Sequence, residues 1–392
     1  MKKILLLSFL SLLTAASTFA QHHYQSVLDT LYLRSGSLAL LQQQMESQRS
    51  VVAAETLLDD PSISFEHLWS SHTGEGNRWN MSISQELPVG QYSVRRRIRE
   101  FVCDTIEARW LVQRQHWMLD MQHLCAEIVY TNMQLAHYTH CVEMAEQVAD
   151  AVSRRMDLGD CNVIEYNRAQ LELVALQNKQ QLLLTLRESR MMLLRTYNNN
   201  IPITVADTIF PDIMLADSFD DWYEQIRRRA PELQMMAKQT QLQHEQFRLS
   251  QREALPRVTA GVVAEYEADC LFRGLAVGVN VPIWNRRRQV SGARLVWHTA
   301  QQEEQLIEQQ LSGRLRMLYT QVQALLTEVD RLSAQCALYD SEALLLKSFL
   351  MGELPLESYL RQVEFFHDTE LAVIAARYAL ERAWLDLMAV TL

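Results

Sequence analysis

Helix breakers are scarce in this chain. Its 392 residues include only 11 Gly and 8 Pro, which favours long uninterrupted helices over turn-dense architectures. After the N-terminus no apolar stretch reaches the roughly 20 residues that a helix needs to span a bilayer. The formal net charge of −10 argues against an electrostatic nucleic-acid binder. The Arg runs Arg95-Arg96-Arg97 and Arg286-Arg287-Arg288 are short and local. Six Cys are present, but Cys103, Cys125, Cys141 and Cys336 fall within helical patterns without paired spacing, so they read as small core residues. No catalytic constellation is found either: no Gly-rich phosphate loop after a strand, no metal-binding His-Glu helix motif and no nucleophile elbow. The chain therefore reads as a non-enzyme without a cofactor. His137, His140 and Cys141 have a spacing that could ligate a metal, but on a long helix they read as packing or surface residues, and no metal is expected. His22-His23 falls in an N-terminal stretch expected to be mobile.

What is present begins with an export signature. Lys2-Lys3, an apolar run from Ile4 to Leu13 and the small-residue site Thr18-Phe19-Ala20 make residues 1–20 a predicted signal peptide. The rest is written twice. Shifting residues 34–198 forward by about 194 positions lays Gly36 on Pro231, Pro61 on Pro256, Pro88 on Pro282, Gly159 on Gly352 and Tyr166 on Tyr359. These landmarks sit at structural joints, so the repeated unit is a whole module, and an internal pseudo-twofold follows. The first repeat covers 21–198, a connector covers 199–221, and the second repeat covers 222–392.

Each repeat opens with a predicted helix, near Leu38–Leu58 and Leu233–Ala254, and then changes period. Ile63, Phe65, His67 and Trp69 alternate with polar partners, as do Trp79, Met81, Ile83 and Leu87. Val258, Ala260, Val262, Ala264 and Tyr266 repeat the pattern, followed by Leu275, Val277, Val279 and Val281. These are four amphipathic strands in two hairpins, 61–88 and 256–283. A soluble sandwich and a membrane barrel both show such alternation. The barrel is favoured because Phe65, Trp69, Trp79, Tyr266 and Phe272 lie near strand ends, where an aromatic girdle belongs. Four strands cannot close alone, so chains must pool them: two give eight and three give twelve. A channel favours three, because a barrel of twelve leaves a lumen.

Very long helices follow, about Tyr92–Asp157 and Asn285–Leu350, the first legs of helical hairpins over 91–198 and 285–392. Leu311, Leu315, Leu318, Val322, Leu325, Val329, Leu332 and Cys336 keep a heptad rhythm, and Trp117, Met121, Leu124, Ile128, Leu135, Tyr138 and Val142 follow a similar one. Tight turns are expected at Leu158-Gly159-Asp160 and Met351-Gly352-Glu353. The returning helices start from the cap Asn162, with Glu165 three residues on, and from Pro355. The fold class is mainly α with a small β part.

The whole pattern, in order and twice, resembles the TolC family of outer membrane efflux proteins. The residues that carry the resemblance are the helix start at 231–234, Pro256 opening a strand, the Val281-Pro282-Ile283 run and Gly352 at the hairpin turn. The resemblance implies a homotrimer in outer-membrane lipid, with a twelve-stranded barrel, a periplasmic α-helical tunnel and residues 199–221 in an equatorial belt. It further implies a passive exit duct for efflux or type I secretion. The tips Leu158, Gly159, Asp160, Met351, Gly352 and Glu353 would dock a periplasmic adaptor joined to an inner-membrane pump. The segment from Gly352 to Leu360 looks most like members paired with heavy-metal or general resistance–nodulation–division pumps. Two departures stand out. The acidic gate positions beyond the second tip are Ser358 and Arg361, while the first repeat keeps Glu165, so a Glu165–Arg361 lock across the aperture is conceivable. Gln21 stands where many relatives carry a lipid-accepting Cys, so no lipid anchor is expected. The competing reading is a periplasmic coiled-coil adaptor or structural protein, which would not need amphipathic strand pairs.

Overall fold

A computed structural model describes residues 23–54, 60–69, 77–87, 90–267, 270–282, 284, 286–339 and 341–392. The predicted signal peptide, Gln21, Pro88 and Ile283 lie outside these residues. The described chain runs α1 (His23–Arg34), α2 (Gly36–Ala54), β1 (Ser62–Leu68), β2 (Arg78–Leu87), α3 (Tyr92–Asp157), α4 (Val163–Tyr197), α5 (Phe219–Arg227) and α6 (Pro231–Glu253). It continues with β3 (Arg257–Glu267), β4 (Cys270–Asn280), α7 (Arg286–Leu338), α8 (Glu342–Leu350) and α9 (Leu356–Met388). No described helix is long and apolar enough to cross a membrane. Helix α1 was not anticipated from sequence, and it takes in His23 from the stretch expected to be mobile.

The chain divides into two compact units that cut across the sequence repeats. One comprises the residues up to Leu40 with Arg114–Tyr223 and Gly313–Leu392, and the other comprises Leu41–Gln113 with Glu224–Ser312. Both repeats contribute to each unit.

In the first unit, one core joins Val27, Leu28 and Leu31 of α1 to Met121, Leu124, Cys125, Ile128 and Val129 of α3, with Leu194 of α4 and Val205 of the connector. The connector leaves α4 through Asn199 and Asn200, at φ 54° and 62°, where Asn tolerates the left-handed region better than most side chains. It is then held by Asn132, whose Nδ2 donates to the carbonyls of Val205 at 3.1 Å and Asp207 at 2.9 Å, while Arg187 donates to its Oδ1 at 2.6 Å. Satisfying these buried polar groups fixes an otherwise irregular segment against α3.

The heptad reading holds along α7, where Leu311, Leu315, Val322 and Val329 are buried. Along α3 burial is broader than one seam, because Cys125, Ala126, Val129 and Met133 are buried beside Met121, Leu124 and Ile128. The expected continuous helix Asn285–Leu350 is corrected: it ends at Leu338 and restarts as α8 at Glu342. At the break Ser341 takes φ −129°, ψ 11°. Ser is a poor helix-interior residue because its short polar side chain competes for backbone hydrogen bonds. The restart delivers Glu342 to a buried position, where it accepts from His140 Nε2 at 2.9 Å.

The second unit carries one antiparallel sheet in the order β1-β2-β3-β4. The two predicted hairpins are joined by β2–β3 pairing, with Trp79 opposite Tyr266 and Leu87 opposite Val258. Lys238 Nζ binds Asp104 Oδ2 at 2.7 Å, and Thr240 Oγ1 donates to the Ala300 carbonyl at 3.3 Å, so α6 is tied to α3 and α7 within this unit.

Candidate functional site

The sheet is the first functional surface. Directly paired residues share a face, so the register sorts every strand residue. One face carries the row Ile63, Ile83, Val262 and Leu275, the neighbouring row Phe65, Met81, Ala264 and Arg273, the row Gln85, Ala260 and Val277, and a further row His67, Trp79, Tyr266 and Leu271, so it is mainly apolar with Arg273 near its end. The other carries Ser62, Ser64, Glu66, Asn80, Ser82, Ser84, Glu86, Thr259, Gly261, Glu265, Gly274 and Gly278, with Val263, Phe272 and Ala276 among them. Here Ser62–Ser84 and Ser64–Ser82 hydroxyl pairs lie at 2.7 and 2.8 Å, Arg257 binds Glu86 at 3.1 Å, and Arg78 pairs with Glu265. The apolar face stays uncovered in the single chain, where Ile63 is 67% and Leu275 85% exposed.

Of the expected girdle, Phe65, Trp79 and Tyr266 stack in succession on one face, across two neighbouring rows, with ring centroids 6.5 and 5.5 Å apart. Trp69 follows β1 and is exposed. Phe272 is corrected: it pairs with Glu265 and so lies on the polar face. Strand β4 already starts at Cys270, so the apolar parity falls on Leu271 and Leu275.

The two hairpin tips are built alike. After α3, Gly159 N–H donates to Met156 O at 3.1 Å and Asp160 N–H to Arg155 O at 2.9 Å. After α8, Gly352 N–H donates to Phe349 O at 3.0 Å and Glu353 N–H to Ser348 O at 3.0 Å. Both are Schellman turns, which need a left-handed residue just past the helix, and Gly159 and Gly352 supply φ of +77° and +78°. Leu158 and Met351 beside them are exposed, so each tip presents an apolar side chain to solvent.

The tips are also coupled. Arg155 lies over the Phe349 ring, 5.0 Å from its centroid, and donates to the Phe349 carbonyl at 2.9 Å. Phe349 is fully buried with Val148, Val152, Ala169, Leu356, Tyr359 and Val363. The returning helix α4 starts as expected: Asn162 Oδ1 accepts from the Glu165 amide at 2.8 Å. At the expected aperture Glu165 and Arg361 are exposed and Ser358 is half-buried. Within one chain Arg361 meets Glu357, one turn earlier on its own helix, at 3.5 Å.

One cluster was missed from sequence. His137 and Cys141 are joined by His367 of α9, with their ligand atoms within 4.8 Å of one another. Its third member stands 226 residues from Cys141 along the chain, beyond the reach of any local motif.

No protein-family model and no curated protein matches the sequence. Solved structures do match. The outer-membrane channel OprN is 12% identical, with a TM-score of 0.77, over 93% of this chain and 89% of that one. The CmeC outer membrane channel of Campylobacter jejuni is 15% identical, with a TM-score of 0.73, over 95% of this chain and 86% of that one. This chain has the fold of an outer-membrane channel. The open state of the Neisseria gonorrhoeae MtrE channel shares it at 14% identity and a TM-score of 0.65, over 93% of this chain and 88% of that one. Near-complete coverage in both directions means that the likeness includes the sheet and both helical hairpins, with no large part left over.

Proposed function

We propose that the chain is one protomer of a trimeric outer-membrane exit duct. The observation that carries this reading is the four-stranded sheet, mainly apolar on one face and mainly polar on the other, with β1 and β4 at its edges. In lipid every backbone polar group needs a partner, so open edges must pair with other chains. Three chains of four strands then close twelve, with Ser62, Ser64, Ser82 and Ser84 toward water and Ile63, Ile83, Val262 and Leu275 toward lipid. A periplasmic adaptor would have no use for the exposed apolar face. The conduit is passive, and an inner-membrane pump supplies the energy through a periplasmic adaptor that docks on Leu158–Asp160 and Met351–Glu353.

Two measurements test this. Membrane fractionation should place the protein in the outer membrane as a heat-modifiable trimer, whereas a soluble monomer would overturn the barrel. At the aperture, Glu165 and Arg361 of neighbouring copies would form a lock flanked by Ser358. Arg361→Ala should then raise single-channel conductance in planar bilayers, and an unchanged closed state would reject the lock.

A further inference from the structure

The cluster at His137, Cys141 and His367 has the construction of a metal centre. His137 and Cys141 are one helical turn apart on α3, which places both side chains on one face. Helix α9 brings His367 against that face. His137 Nε2 and His367 Nδ1 each lie 3.4 Å from the Cys141 sulfur. A tetrahedral zinc ion, with Zn–S about 2.3 Å and Zn–N about 2.0–2.1 Å, sets sulfur and nitrogen roughly 3.6 Å apart. Both sulfur–nitrogen distances are already near that spacing, and all three donor atoms lie within 4.8 Å of one another.

The outer partners fit as well. The far nitrogen of His137, Nδ1, meets Glu370 Oε2 at 2.9 Å, and the far nitrogen of His367, Nε2, faces Glu342 Oε1 at 3.9 Å. Each imidazole thus turns one nitrogen toward the sulfur and the other toward a carboxylate. Metal-bound histidines commonly have this arrangement, because the carboxylate fixes the tautomer and raises ligand basicity. The two acids also supply negative charge that offsets a divalent cation beside one thiolate. Cys141 is 1% exposed and His137 9%, so the thiol and one imidazole are screened from bulk water. Cys141 and His367 also line a cavity of about 110 Å³ with Tyr138, Lys179 and Tyr359, which leaves room for a fourth ligand such as water.

We propose that His137, Cys141 and His367 form a binding site for one zinc-like divalent transition-metal ion per chain, with Glu370 and Glu342 as outer partners. Hard cations such as magnesium and calcium prefer oxygen donors and are excluded by this ligand set. Coordination needs the Cys141 thiolate, so binding displaces the thiol proton and releases it to solvent. A bound ion would staple α3 to α9.

The experiment uses the full chain, purified in detergent without a histidine tag and titrated with Zn²⁺ and with Co²⁺ as its spectroscopic substitute. One Zn²⁺ per chain should survive dialysis, and Co²⁺ should give a thiolate-to-metal charge-transfer band with tetrahedral visible absorption. Cys141→Ser and His367→Ala should each lose the band and the stoichiometric ion, while His116→Ala keeps both. Glu370→Gln should keep the band but weaken affinity roughly 10- to 100-fold, the usual size of an outer-partner effect. Circular dichroism checks that each variant stays helical, and a variant that unfolds is replaced by Cys141→Ala under the same titration. A wild-type chain that binds no Zn²⁺ or Co²⁺ above the Cys141→Ser level would overturn the proposal and leave the cluster a hydrogen-bonded core network. So would uptake of Cu⁺ alone.

Discussion

Arg placed at Leu275 should abolish assembly, whereas Arg placed at the adjacent Gly274 should not. Leu275 pairs with Val262 at mid-sheet on the apolar face and is 85% exposed in the single chain. At the bilayer midplane an Arg on the lipid face of a barrel costs about 2–4 kcal/mol. In the proposed trimer that cost falls three times in one barrel. Gly274 pairs with Val263 on the polar face, and a Cβ built there meets nothing closer than 3.7 Å. Its Arg would enter water and narrow the lumen without opposing insertion. Heat-modifiable trimer bands in outer-membrane fractions should vanish for Leu275→Arg and persist for Gly274→Arg, with reduced conductance in the latter. Equal trimer yields for the two variants would sink the assignment of faces.

The second large effect is expected at the tips. Gly159→Glu and Gly352→Glu each put a side chain where φ is +77° or +78°, a left-handed conformation that costs an ordinary residue about 1–2 kcal/mol. Around Gly159 no neighbouring atom lies within 4 Å of an added Cβ, so strain and charge act there without a clash. At Gly352 the nearest atom is Arg155 Nη2 at 3.7 Å, and a carboxylate would draw that guanidinium away from the Phe349 carbonyl. In cells carrying the whole export system, the double variant should lose export while its trimers remain in the outer membrane. Export at the wild-type level would remove the docking role from both turns.

How much of this was legible beforehand depends on the range of each signal. The tip glycines were readable because a Schellman turn is a local requirement satisfied by local residues, and it recurs at both tips. Strand alternation was readable for the same reason. Phe272 was misassigned because the start of β4 sets its parity, and Cys270-Leu271 gave no alternation strong enough to mark that start. The break before Glu342 was hidden by a heptad that runs up to Cys336 without warning. Asn132 holding the connector, and His367 completing a triad with His137 and Cys141, depend on partners brought together only by the folded chain. Periodicity carries no information about such meetings.

The pairing of β2 with β3 has a consequence for biogenesis. The contact between Glu86 and Arg257 spans 171 residues of chain, while β1 and β2 are joined by a short connection. The first hairpin can therefore form while the second is still unmade, and its free edge must wait for a partner from the far half of the protein. Loop-closure entropy makes such long-range pairing slow. During that wait, and again until neighbouring copies arrive, an apolar ribbon with an open edge is exposed to any other chain that can add a strand. If the chain is the duct proposed above, the step most exposed to failure falls before insertion, when a holdase chaperone would have the most to protect.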